Sequence, residues 1–237
     1  MYAKYAGSRA GRRALAAASV VLAGAALTAC GGKTTVDESR YRVDDKVTSL
    51  RITSNGGNVE VTAADGSAID VTERIEYTDE KPRTEHSVRD GALSLDAPGC
   101  AKGDSGECSV GYTLTVPRGT VLSVDTGGGD VTVRGLAGAV AAKTGGGDIR
   151  IGESAAKKVA AHTGGGNIDA SFTAAPDQVE TESGGGDVTV RLPAGPYAVD
   201  ARTDGGDRRV DVAGDPSSAH TVKARTGGGN LTVTAAG

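Results

Sequence analysis

Apolar and polar residues alternate along most of this chain in arms of five or six residues, and the arms meet in pairs at a glycine-rich corner. The corner reads Thr/Ser-Gly-Gly-Gly-Asx at 126–130, 144–148, 163–167, 183–187 and 226–230. At 203–207 Asp204 replaces the first glycine, and an earlier copy, Ser-Asn-Gly-Gly-Asn, stands at 54–58. Aligned on the Thr or Ser, the copies form columns. Four residues earlier stand Leu50, Leu122, Val140, Val159, Val179, Val199 and Val222; two earlier, Ile52, Val124, Ala142, Ala161, Thr181, Ala201 and Ala224. Five later come Val59, Val131, Ile149, Ile168, Val188, Arg208 and Leu231; seven later, Val61, Val133, Ile151, Ala170, Val190, Val210 and Val233. A spacing of two is the strand period, so each arm predicts a strand with one apolar face. Asp125, Lys143, His162, Glu182, Arg202 and Arg225 fall between the apolar columns, on the solvent side.

Two such strands cannot bury their apolar face alone, so neighbouring copies must stack. The pattern therefore predicts an all-β fold, a single-chain parallel β-solenoid (β-helix) with two-strand coils of about 18–20 residues, right-handed by default. The steps between successive Asx positions from Asp130 are 18, 19, 20, 20 and 23 residues. Glycine at the corner is expected to supply positive φ and close backbone approach. The Asx residues Asn58, Asp130, Asp148, Asn167, Asp187, Asp207 and Asn230 are expected to form a structural turn ladder that bonds the turn backbone. Arg208 breaks its apolar column, which predicts a bulge turning Val210 and Val212 inward. The strand at 231–233 is the last of the pattern. As the open end of a stack it should be covered by chain from elsewhere or self-associate through the C-terminal coil.

The segment 62–120 is less regular. From Asn58 to Asp130 is 72 residues, four steps of 18, which leaves room for degenerate coils. Apolar runs at 69–77, 93–95 and 112–116 and the turn pair Asp90-Gly91 indicate a partly antiparallel insertion containing a hairpin. Cys100 and Cys108 read as a disulfide clipping this insertion, because metal binding would need further ligands that do not stand at suitable spacing.

Composition fits this architecture. Glycine accounts for 37 of 237 residues, never in a collagen triplet, and aromatics for only 3%. A core two short strands wide, filled by Ala and Val, needs few aromatics. Residues 1–29 have a separate character. Lys4, Arg9, Arg12 and Arg13 precede a small and apolar stretch at 14–28, too short for a comfortable membrane span. That stretch ends in Leu27-Thr28-Ala29-Cys30, which resembles the lipobox of bacterial lipoproteins. Residues 1–29 are thus read as a signal peptide, exported by the general or the twin-arginine route, Cys30 as the lipidated first mature residue and 30–46 as a polar tether. Removing the leader leaves 22 basic and 30 acidic residues, a net charge of −8. No Lys/Arg cluster offsets it, which argues against nucleic acid as a partner.

The run Leu114-Thr-Val-Pro-Arg-Gly119, followed by Leu122-x-Val124-x-Thr126-Gly-Gly-Gly-Asp130-Val-x-Val133 and its repeats, resembles the putative-adhesin family of bacterial β-helical surface proteins over roughly 47–237. The resemblance implies an extracytoplasmic domain, held at the membrane by its lipid, that meets an envelope protein or wall polymer without enzymatic chemistry. A role in envelope-stress sensing is the alternative. The residues themselves point to no catalytic site and no cofactor. Gly103-Asp104-Ser105-Gly106 looks like a serine-protease motif, but around the upstream His86 nothing resembles the protease's histidine site, so a polar loop is the simpler reading. Each triple glycine leads into a strand rather than the helix that a phosphate cradle requires. Stacked carboxylates, Asp130 with Asp148 and Asp187 with Asp207, suggest shared calcium, against which stand the interspersed asparagines and the missing β-roll nonapeptide. A polysaccharide enzyme would need clustered acids in a groove, whereas the outward columns carry dispersed mixed charge.

Overall fold

The computed structural model describes residues 33–99 and 106–236, with the backbone alone of Leu22–Ala23, and its regular elements are all β-strands. The arms before each corner are Ser49–Ser54, Val121–Thr126, Val140–Thr144, Lys158–Thr163, Gln178–Ser183, Pro196–Thr203 and Thr221–Thr226. Those after it are Val59–Ala64, Val131–Arg134, Ile149–Ser154, Ile168–Phe172, Val188–Leu192, Arg208–Asp211 and Leu231–Ala235. Each set forms one parallel sheet in which like columns pair: Leu50, Leu122, Val140, Val159, Val179, Val222 and Val199 in one. Val59, Val131, Ile149, Ile168, Val188, Leu231 and Arg208 do the same in the other. The inward columns bury one continuous core between the sheets.

The spatial order of coils departs from the chain order at both ends. The coil 221–235 lies between coils 178–192 and 196–211, so the coil 196–211, not the final strand, terminates the stack. Val233, expected at an open end, is 0% exposed. The chain itself covers it. At the opposite end Ala92–Ala97 and Cys108–Pro117 form one further coil, continuing the columns with Leu93, Leu95, Tyr112 and Leu114. This coil stacks outside coil 49–64, which pairs directly with coil 121–134. The 72 residues between Asn58 and Asp130 therefore contain no coils stacked between them.

Beyond that outermost coil the structure turns antiparallel, as expected of the insertion. Ile69–Tyr77 pairs antiparallel with Cys108–Pro117, and Thr35–Val43 with Ile69–Tyr77. Leu22–Ala23 runs antiparallel to Asp37 and Glu38. On the facing sheet Glu85–Arg89 and Ala92–Ala97 form the hairpin through Asp90 and Gly91, whose φ of 51° and 74° suit the mirror-image turn that matches strand twist. Among the described residues the aromatic side chains buried in the core are Tyr112 and Tyr197, in the coils at the two ends, and Phe172 inside the stack.

The bulge expected at Arg208 is absent. Arg208 pairs in register with Leu231, and the ladder continues through Asp211. An arginine is accommodated because no coil lies beyond it, so its aliphatic stem rests on the core edge while the head stays in water. The register shift lies elsewhere, between Ile151 and Ser154, where Glu153 takes a φ of 54°.

Candidate functional site

The corners form a continuous ladder. From Thr144 onward, the Thr or Ser that opens a corner donates its hydroxyl to the carbonyl of the third glycine in the adjacent coil: Thr144 to Gly129 at 2.8 Å, Thr163 to Gly147 at 2.8 Å, Ser183 to Gly166 at 2.7 Å, Thr226 to Gly186 at 2.7 Å and Thr203 to Gly229 at 2.8 Å; Thr126 reaches Gly57 at 3.4 Å, and Ser54 bonds Val110 instead. The same hydroxyl accepts the N–H of its own third glycine, as between Gly166 and Thr163 at 3.1 Å. The hydroxyls of Thr126, Thr144, Thr163, Ser183 and Thr226 belong to buried residues, so this pairing removes a desolvation cost of about 1–3 kcal/mol per group. The sequence shows this Thr/Ser column plainly; its bond across coils requires the stacking geometry.

The Asx residues make a second rail, and they bond the neighbouring coil rather than their own turn. Asp130 N–H donates to Asn58 Oδ1 at 2.9 Å, Asp148 to Asp130 at 2.9 Å, Asn167 to Asp148 at 2.8 Å, Asp187 to Asn167 at 2.8 Å, Asn230 to Asp187 at 2.7 Å and Asp207 to Asn230 at 3.0 Å. Asp187 and Asp207, weighed as one of two carboxylate pairs that could share calcium, are not neighbours, because the interleaved coil 221–235 sets Asn230 between them. Asp130 and Asp148 are neighbours, and Arg150 spans them, its Nη1 3.4 Å from Asp130 and its Nη2 2.6 Å from Asp148. That guanidinium already supplies the positive charge a shared dication would bring. Among the described residues no three His, Cys, Asp or Glu side chains converge. Adding EDTA is expected to leave the melting temperature unchanged in differential scanning calorimetry; a fall of several degrees would contradict this account.

The two outer faces are flat and carry both signs of charge. On the face of the first arms the pairs run between adjacent coils: Lys143–Asp125 at 3.9 Å, His162–Glu182 at 3.6 Å, Lys223–Glu180 at 3.7 Å and Arg225–Asp200 at 3.5 Å. On the other, Arg191 pairs with Asp169 of the neighbouring coil at 2.5 Å. Exposed pairs of this kind contribute about 0–1 kcal/mol each, so they pattern the surface more than they stabilise it. The antiparallel end holds a buried carboxylate. Glu73 is buried and accepts the Thr84 hydroxyl at 2.9 Å. Burial, reinforced by the Glu73 carboxylate, raises the phenol pKa values of Tyr41 and Tyr112. His86 stacks on the Tyr41 ring, the ring centroids 4.7 Å apart. Ser105, Cys100 and Cys30 lie outside the described residues, while Cys108 opens the strand Cys108–Pro117. The site residues read from sequence thus divide into a ladder, which the fold assembles, and covalent positions beyond the described geometry.

The family profile of the Toastrack DUF4097 domain matches residues 44–235. Similar solved structures include a putative cell adhesion protein from Clostridium sporogenes, 13% identical, covering 85% of this chain and 100% of its own, with a TM-score of 0.51. Another is a putative adhesin from Bacteroides fragilis, 16% identical, covering 86% of this chain and 98% of its own, with a TM-score of 0.46. At such identities the likeness is one of fold. No curated protein matches the chain.

Proposed function

Because the chain belongs to the Toastrack DUF4097 family, matched over residues 44–235, we propose that it is a non-enzymatic, lipid-anchored protein of the bacterial surface. Its solenoid presents flat polar faces for adhesin-like binding to a wall polymer or an envelope protein. The observation that carries this reading is the regularity of those faces: mixed charges paired from coil to coil across the stack. Such a surface suits extended, many-contact recognition rather than a reaction confined to one point. Residues 33 and 34 lead into the antiparallel end of the stack, so a tether from Cys30 would hold the solenoid by that end.

The anchor rests on Leu27-Thr28-Ala29-Cys30, since several acyl chains on one cysteine hold a protein stably where a single chain is marginal. Replacing Cys30 with alanine should move the protein from the membrane to the soluble fraction, read by fractionation and immunoblotting; a variant that stays with the membrane would remove the anchor from this proposal. Intact-mass measurement of the same samples before and after reduction tests the proposed Cys100–Cys108 bridge. Crosslinking in intact cells with mass-spectrometric identification tests the binding role, and recovery of no wall polymer or envelope protein would count against it.

A further inference from the structure

The interior of the solenoid is closed between coils along the stack, but the coil 196–211 has a neighbour on one side only. Its column residue Arg208 is exposed and leans across the core edge, donating from Nε to the Ala201 carbonyl at 2.8 Å. Val199 and Val210 are only partly buried there. The short strand Ala213–Gly214 runs beside Pro196 and Tyr197 and walls off one side. What remains is a cleft of about 680 Å³ lined by Val179, Tyr197, Val199, Val210 and Val222. That volume falls within the range of small-molecule sites, about 300–1,000 Å³, and the aliphatic walls suit an apolar guest.

The charges in the lining decide which guest. Asp200 is held by Arg202 at 2.8 Å and Arg225 at 3.5 Å. Asp215 accepts both the hydroxyl and the N–H of Ser217, at 2.7 and 2.9 Å. Lys223 stands 3.7 Å from Glu180. Arg208 has no oppositely charged side chain within 4.0 Å among the described residues; Asp215 lacks one too, but its carboxylate is taken up by Ser217, whereas the Arg208 Nη groups remain available for an anion. The cleft therefore combines an aliphatic hollow with one uncompensated guanidinium, whose planar fork binds carboxylate or phosphate in a two-point contact.

We propose that this end of the solenoid binds an anionic amphiphile, with its aliphatic chain in the hollow and its carboxylate or phosphate head on Arg208. A free fatty acid and a membrane phospholipid both supply such a chain and share this chemistry. The full-length protein is titrated with dodecanoate by isothermal titration calorimetry, with dodecyltrimethylammonium as the same chain bearing the opposite charge, and is floated with phosphatidylglycerol vesicles. Dodecanoate is expected to bind at least tenfold more tightly than the ammonium compound. Arg208→Gln should erase that preference, and Val210→Trp, which fills the hollow, should abolish binding of both. Both positions lie at the open end, and an unchanged melting temperature for each variant checks that it folds. Dodecanoate binding without vesicle flotation assigns the free acid, and flotation lost in Arg208→Gln assigns the phospholipid. Binding of neither, or binding indifferent to both substitutions, overturns the proposal.

Discussion

Replacing Gly147 with alanine is expected to lower the melting temperature by roughly 6–12 °C, while the same replacement one residue earlier, Gly146→Ala, leaves it unchanged or raises it slightly. A methyl group on Gly147 would overlap the carbonyl oxygen of Gly129 in the adjacent coil. That oxygen cannot retreat, because it accepts the Thr144 hydroxyl and its strand is in register on both sides. Forcing atoms into a packed site costs about 1–3 kcal/mol, and a backbone obstacle places this case at about 3 kcal/mol. For a domain of this size each kcal/mol shifts the melting temperature by roughly 2–4 °C. Gly146 meets nothing within 4 Å and has no left-handed φ. Alanine there restricts the unfolded chain and gains about 0.4–1 kcal/mol. Calorimetry of the two variants decides the matter. Equal losses at both positions would show that the corner glycines are needed for their φ angles and not for close approach.

The second large effect tests the order of coils. Val233→Asp should prevent cooperative folding near neutral pH, whereas Val210→Asp should be tolerated. Val233 is flanked on its sheet by Val190 and Val210 and has no contact with water. An unpaired carboxylate there costs about 3–5 kcal/mol, a large share of the 5–15 kcal/mol typical of a domain. Burial raises the folded-state pKa of such a group above its unfolded value. The penalty is therefore full at pH 8 and shrinks as the pH falls through that raised pKa, so some fold should return at pH 4–5. Val210 has a neighbour on one side only and borders the open cleft, where a carboxylate keeps its water. Far-ultraviolet circular dichroism and urea unfolding of both variants read the outcome. Were 231–235 the outermost strand, as chain order suggests, the two sensitivities would be reversed.

That contrast marks what the sequence discloses. The columns, the corners, the burial of one face and the antiparallel hairpin at Asp90-Gly91 are all legible, because each follows from a period of two and from turn chemistry. The order of coils is not legible from the columns, since every coil presents the same Val, Ala and Gly positions and any permutation satisfies the pattern equally well. Mistaking chain order for stacking order is what made Asp187 and Asp207 look like neighbours. The signal lay in the exceptions. Arg208 and Asp204 both depart from the consensus, and both belong to the coil with nothing stacked beyond it. Conformational freedom was likewise the wrong reason for the corner glycines after Gly57, which has a φ of 90°: among the later corners none is left-handed, and close approach to the neighbouring backbone governs their first and third positions. Arg150 could be read as a surface charge from its column. Its clamp on two carboxylates depends on the distance between coils.

The interleaving at the two ends has a consequence for how the molecule is made. A chain made from its N-terminus delivers coil 196–211 before coil 221–235, yet the earlier segment docks on the later one. Likewise coil 49–64 emerges first but acquires its outer neighbour only after residues 92–117 have followed. Order of emergence and order of docking thus differ at both ends, and such non-local pairings form slowly. A partly made chain leaves two adhesive strand edges unpaired until residues 221–235 arrive. Until that coil docks, the edges of coils 178–192 and 196–211 remain open to proteases and chaperones.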